Sequence, residues 1–181
     1  MAFLQIDYKS EALMRGVNIK VILPSDGMAG KWEPPYKTLY LLPGYSATAT
    51  ELITYLGLRG QSELKGIAIV LPDGENLFYQ DLPDRMTFYS TYVGKELVEV
   101  TRKMLPLSTK REDTFIGGIS MGGYGALYNG FKYRDTFSKV VAFSPASDAY
   151  MLLAEEDAPG FSRKQFEGIF GSKEAYYGSE C

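Results

Sequence analysis

One serine in this chain has glycine two residues before it and two residues after it, in the run Gly118-Ile119-Ser120-Met121-Gly122. Thr114 to Gly117 reads as a strand, and the small residues on to Ala126 suit a helix packed close to a sheet, so Ser120 stands at a strand-to-helix turn. To carry its hydroxyl outward from such a turn the serine must take a strained backbone, and side chains at 118 and 122 would collide. Glycine removes both obstacles. Gly123, Gly125 and Ala126 then let the helix approach, with its free amides and positive dipole end beneath Ser120. In a chain with 19 glycines the five-residue spacing alone is weak, and its context carries the reading. A dinucleotide-binding turn fits less well, because the spacing is not GxGxxG and no P-loop lysine follows.

The rest of the chain agrees with a sheet layered between helices. Phe3 to Lys9 and Val17 to Leu23 alternate apolar with polar residues, predicting an opening antiparallel pair. Pro24 to Pro35 is rich in turn formers. Thr38 to Leu42 is a short apolar run stopped by Pro43-Gly44, as for an inner strand, and Thr48 with Glu51 has the spacing of a capping box ahead of a helix. Gly66 to Leu71 reads as another buried strand, closed by Pro72-Asp73-Gly74. Val93, Leu97, Val100 and Met104 form a stripe at helical spacing, and Val140 to Phe143 is a further strand. Strands alternating with helices predict an α/β fold with a mostly parallel sheet covered on both faces. After Pro145 the pattern changes to two short helices, Asp148 to Ala154 and Ser162 to Phe170, around an acidic turn from Glu155 to Gly160. With no repeat and no linker, residues 1–181 read as a single domain.

Composition narrows the chemistry. The formal charge of −3 is spread along the sequence, which argues against nucleic-acid and membrane-surface partners and favours a small neutral ligand. The single cysteine, Cys181, and the absence of histidine leave no internal disulfide and no set of zinc ligands, so neither a metal nor a cofactor is expected. The start lacks the pattern of a signal peptide, and a cytoplasmic protein is expected.

A serine presented in this way can attack a carbonyl, and the resulting oxyanion needs hydrogen-bond donors. The N–H of Met121, next after the serine, is one candidate. The other comes from the loop after the third strand, where Gly44 would permit an unusual backbone that aims the Tyr45 N–H at the same point. Trp32 and the aromatic group of Phe78, Tyr79, Phe88, Tyr89 and Tyr92 are either core or the wall of a substrate pocket, with Phe78 and Tyr79 the best placed for the latter.

These segments together resemble a known family. Gly118 to Ala126, with Leu41-Leu42-Pro43-Gly44-Tyr45-Ser46, Pro72-Asp73-Gly74 and Phe143-Ser144-Pro145-Ala146, is similar to the esterase D branch of the α/β-hydrolases. Bacterial tributyrin esterases are the nearest in pattern, and the branch includes S-formylglutathione hydrolases and feruloyl and acetyl-xylan esterases. The resemblance implies an α/β-hydrolase fold and a serine carboxylesterase for small-molecule esters, with Ser120 as nucleophile and the Tyr45 and Met121 amides as oxyanion hole. Two departures stand out. Pro43-Gly44 replaces the family's His-Gly, and the triad acid and histidine, which the family places later in the chain, are absent from these residues. The resemblance thus predicts a fold lacking its last strands, near-inactivity of this polypeptide, an uncovered edge at Val140 to Phe143, and either marginal stability or self-association into a homo-oligomer. An acyltransferase built on the same machinery, and a non-catalytic hydrolase domain used for binding, are the alternatives.

Overall fold

The computed structural model describes residues 1–26, 32–148 and 162–178. Two strands, β1 (Ala2–Ser10) and β2 (Arg15–Leu23), run antiparallel, with Ala2 opposite Leu23 and Ser10 opposite Arg15. Next in the sheet come β3 (Lys37–Leu42) and β4 (Ile67–Pro72), and, after a small hairpin of β5 (Asp81–Leu82) and β6 (Thr87–Phe88), β7 (Thr114–Ile119) and β8 (Lys139–Phe143). The order across the sheet is β1-β2-β4-β3-β7-β8, and β4, β3, β7 and β8 are parallel. This is the alternating architecture that the sequence pattern predicts.

Strand alternation sends successive side chains to opposite layers. Leu41 of β3 joins Ile22, Ile69 and Leu71 beneath two helices, α1 (Ala49–Tyr55) and α2 (Leu58–Lys65). Tyr40 points the other way, edge-on to the Phe137 ring, with its hydroxyl 2.9 Å from Thr101 Oγ1. Burial pushes the Tyr40 phenol up to about 12, so it stays neutral in the core. The predicted capping box forms at α1. Thr48 Oγ1 accepts from the Glu51 N–H and Glu51 accepts from the Thr48 N–H, a cap worth about 1 kcal/mol.

Between β6 and β7 the helical segment consists of α3 (Tyr89–Thr91), a π turn at Tyr92–Glu96, and α4 (Leu97–Met104). The stripe ending at Val100 and Met104 assumes an unbroken helix. Val93 and Leu97 of that stripe are buried and Val100 is half-buried; beyond the wider π turn Val98 and Thr101 are buried as well, whereas Met104 is 47% exposed. Then α5 (Met121–Lys132) follows β7 and lies on the sheet with Gly130 against Val140 and Ile116.

The chain divides into two compact units, Met1–Pro145 and Ala146–Cys181. In the second, the predicted helix is α6 (Arg163–Phe170), capped by Ser162, whose hydroxyl accepts from the Gln165 N–H, and α7 (Lys173–Gly178) follows. The rings of Phe166, Phe170, Tyr176 and Tyr177 pack in series, and the Tyr177 hydroxyl donates to Asp148. The expected helix at Asp148 to Ala154 and the acidic turn lie, apart from Asp148, outside the described residues. No helix of the described residues is long and apolar enough to cross a membrane.

Among the described residues β8 has a neighbour on one side only, and Val141 and Phe143 are 43% and 56% exposed. A bare edge with apolar side chains invites pairing. The 181-residue polypeptide is therefore expected to form dimers or larger species in sedimentation velocity as concentration rises, and Phe143→Lys to shift it towards monomer. A single monomeric species at every concentration contradicts this.

Candidate active site

Ser120 joins β7 to α5 with φ 55° and ψ −118°, and it is exposed. A non-glycine residue at positive φ and strongly negative ψ is strained, and the surrounding structure must hold it there. It does so at both ends of the residue. The Ser120 N–H continues the ladder to the Phe143 carbonyl at 2.9 Å, and its own carbonyl receives the Tyr124 N–H at 3.0 Å as the first bond of α5. The flanking glycines are required by contact rather than by their own dihedrals, since neither has positive φ. A Cβ at Gly118 would overlap the Gly122 carbonyl, and one at Gly122 would overlap the Leu42 carbonyl and come 2.5 Å from the Pro43 oxygen. Helix α5 is thus seated directly against the end of β3.

The loop after β3 lies beside the serine. A Cβ on Gly44 would stand 3.3 Å from the Ile119 carbonyl oxygen and 3.5 Å from Ser120 Cβ. The expected role of Gly44 needs correction here: it has no positive φ, and the left-handed residue of the loop is Ser46, at 59°. Gly44 contributes closeness, and the turn geometry comes from its neighbours. The Ala47 N–H donates to the Gly44 carbonyl at 3.2 Å, and the Ser46 N–H donates to Asn76 Oδ1 at 2.8 Å. Met121, the other predicted donor, is the first residue of α5, where backbone amides have no acceptor within the helix.

Phe78 and Tyr79 both lie near this loop, and both are buried, with 1% and 0% of their surface exposed. Phe78 packs against Tyr45 and Tyr124, with ring centroids 6.4 and 5.7 Å away. Tyr79 lies beneath the loop as a core residue rather than as a wall, and its hydroxyl donates to the Pro43 carbonyl at 2.8 Å. Burial pushes that phenol well above its ordinary value, so it remains a donor. Tyr89 and Tyr92 are core. Trp32 is at the other end of the sheet: its ring lies over Gly66, just before β4 begins, and its indole N–H donates to the Glu63 carbonyl. Asn76 was not singled out by sequence. The only signal for it is its place directly after the Pro72-Asp73-Gly74 turn.

A lysine could in principle replace a histidine base, but Lys132 is committed elsewhere. Its ammonium is 3.0 Å from Asp81 Oδ2 and 2.8 Å from the hydroxyl of the buried Ser90. Burial disfavours its charge, yet the hydrogen bond and charge of Asp81 outweigh this and raise the pKa, so the amine stays protonated at neutral pH.

Residues 10–167 match the family model described as "Putative esterase". The chain belongs to this esterase family. It is 40% identical over 151 residues to an acetyl esterase of Caldicellulosiruptor saccharolyticus, covering 81% of this chain and 57% of that protein. It is 28% identical over 192 residues to an S-formylglutathione hydrolase of Paracoccus denitrificans, covering 93% and 63%. This chain therefore spans less than two thirds of either relative. Among solved structures it is similar to FphF, a fluorophosphonate-binding serine hydrolase of Staphylococcus aureus, with a TM-score of 0.82 and 30% identity over 99% of this chain and 69% of that one. The S. aureus S-formylglutathione hydrolase FrmB gives a TM-score of 0.77 and 29% identity over 94% and 66%. The fold of this esterase-family chain is that of the α/β-hydrolases, and part of that fold is what these residues build.

Proposed function

We propose that the protein is a serine carboxylesterase for short-chain acyl esters. The Ser120 oxygen attacks the ester carbonyl carbon, and its proton passes to a histidine that these 181 residues do not include. The carbonyl electrons move to oxygen, where the Tyr45 and Met121 amides hold the oxyanion. Collapse expels the alcohol, which takes the proton, and water then frees the acid from the acyl-serine by the same steps. The observation that carries this reading is the exposed Ser120 at φ 55°, ψ −118°, set between β7 and α5 with Gly44 against it. The acetyl esterase relative supports a small acyl group.

The protein made from its whole reading frame is expected to hydrolyse p-nitrophenyl acetate faster than the decanoate and to bind a fluorophosphonate covalently. Ser120→Ala is expected to lose both properties. Equal labelling of Ser120→Ala and the parent would remove the nucleophile assignment.

A further inference from the structure

We propose that Tyr79 is a positioning residue for the oxyanion loop: from the core, its hydroxyl holds the Pro43 carbonyl and so sets the height of the Gly44–Tyr45 peptide beside Ser120. This rests on the role proposed for the Tyr45 amide. Tyr79 follows β4, Pro43 follows β3, and the 2.8 Å bond between them joins two loops at the same end of the sheet. The ring is completely buried, so the bond is shielded from competing water.

Two glycines show how tightly this side chain is placed. A Cβ at Gly74 would overlap the Tyr79 hydroxyl, and one at Gly125 would overlap its ring. The tyrosine is therefore wedged between the loop after β4 and the helix that begins at Met121. Its own carbonyl receives Asn129 Nδ2 from the same helix at 3.4 Å. Hence one residue ties the loop that carries Tyr45 to the helix that carries Met121. The backbone adds a second mark: Phe78 and Tyr79 are consecutive non-glycine residues at φ 53° and 58°. Such strain persists only where neighbours over-determine it.

Peptide planarity completes the argument. With Ala47 holding the Gly44 carbonyl, the Tyr45 N–H in the same plane must point the opposite way. Tyr79 anchors the plane before it and Asn76 the amide after it. The direction of the proposed donor is thus fixed by hydrogen bonds within the loop and from Tyr79 and Asn76.

Tyr79→Phe removes only the hydroxyl. Hydrogen–deuterium exchange is expected to quicken in a peptide spanning 43–47 while a peptide within α5 stays unchanged. In turnover, kcat is expected to fall about 10- to 100-fold with KM within about threefold, short of the roughly 10²–10³-fold loss for removing a donor outright. Because sulfur accepts hydrogen bonds poorly, the preference for an oxoester over its thionoester is expected to shrink. Asn76→Ala, at an exposed position, is expected to act in the same direction, and Asn76→Asp, which keeps the acceptor, to retain more kcat. Unchanged exchange at 43–47 overturns the proposal, as does a fall in kcat with an unaltered thionoester preference. Exchange is read without turnover, so it decides wherever the reading frame ends. Failure of the functional reading shows separately, as Ser120→Ala turning over ester like the parent.

Discussion

The 181-residue polypeptide is expected to turn over p-nitrophenyl acetate about a millionfold more slowly than a complete Ser-His-Asp enzyme, and free imidazole to restore part of that rate. A millionfold corresponds to about 8 kcal/mol of barrier, more than any single hydrogen bond at the loop supplies. The cause is that no residue of the sequence is a histidine. Lys132 stays protonated against Asp81 and hydrogen-bonds Ser90, not Ser120. What remains is the strained serine with the two proposed amide donors, expected to sustain about 10³- to 10⁴-fold over water. Imidazole supplies the missing proton acceptor, and Ser120 is exposed enough to receive it. After subtraction of the imidazole-catalysed background measured with Ser120→Ala, acyl transfer is expected to rise linearly with imidazole concentration. Full triad-like turnover without imidazole would mean that a base lies among these residues, and the division of labour proposed here would be wrong.

The parts of the fold legible in sequence are those set by period and by caps. Alternation at Phe3 to Lys9 and Val17 to Leu23 revealed the antiparallel pair, and Thr48 with Glu51 marked the start of α1. Ser120 was legible because collision at 118 and 122 is a local matter that any strand-to-helix turn of this kind must solve. Other features depend on contacts distant in sequence. The helix α2 is not legible in sequence, since its limits are Gly57 and Gly66, both left-handed, and its apolar face is short. The π turn at Tyr92–Glu96 left no mark that would distinguish it from an ordinary helical turn, and of the predicted stripe Val93 and Leu97 are buried while Met104 at its end is exposed. Whether Trp32 is core or pocket wall stays open in sequence, because sequence does not say at which end of a strand a distant loop lies. Sequence marks Tyr79 as an aromatic near the site, yet its bond to Pro43 spans 36 residues and shows only in three dimensions. Gly44 in sequence suggests an unusual backbone, but in the structure its φ is ordinary and its small size lets the loop reach Ser120.

Replacing Gly122 by alanine is expected to cost at least about 3 kcal/mol of stability, because the added methyl meets backbone that cannot turn aside. The atoms in its way are the carbonyls of Leu42 and Pro43, at the end of the central strand β3. Relief requires α5 to rise off the sheet or the loop to lift, and either motion separates Met121 from Tyr45. For a chain of this length the loss translates to roughly 6–12 °C in melting temperature. Gly118→Ala is expected to behave alike, since its methyl strikes the Gly122 carbonyl from the strand side. Gly60→Ala is the contrasting substitution: within α2, with nothing within 4 Å of the new atom, it is expected to stabilise by about 0.5–1 kcal/mol through helix propensity. Thermal melts of the three variants, read beside fluorophosphonate labelling of the fraction still folded, separate a general intolerance of glycine loss from a specific demand at the elbow. If Gly122→Ala melted and labelled like the parent, α5 would have room that this geometry denies it, and the contact between helix, loop and serine would not be what holds Ser120 in place.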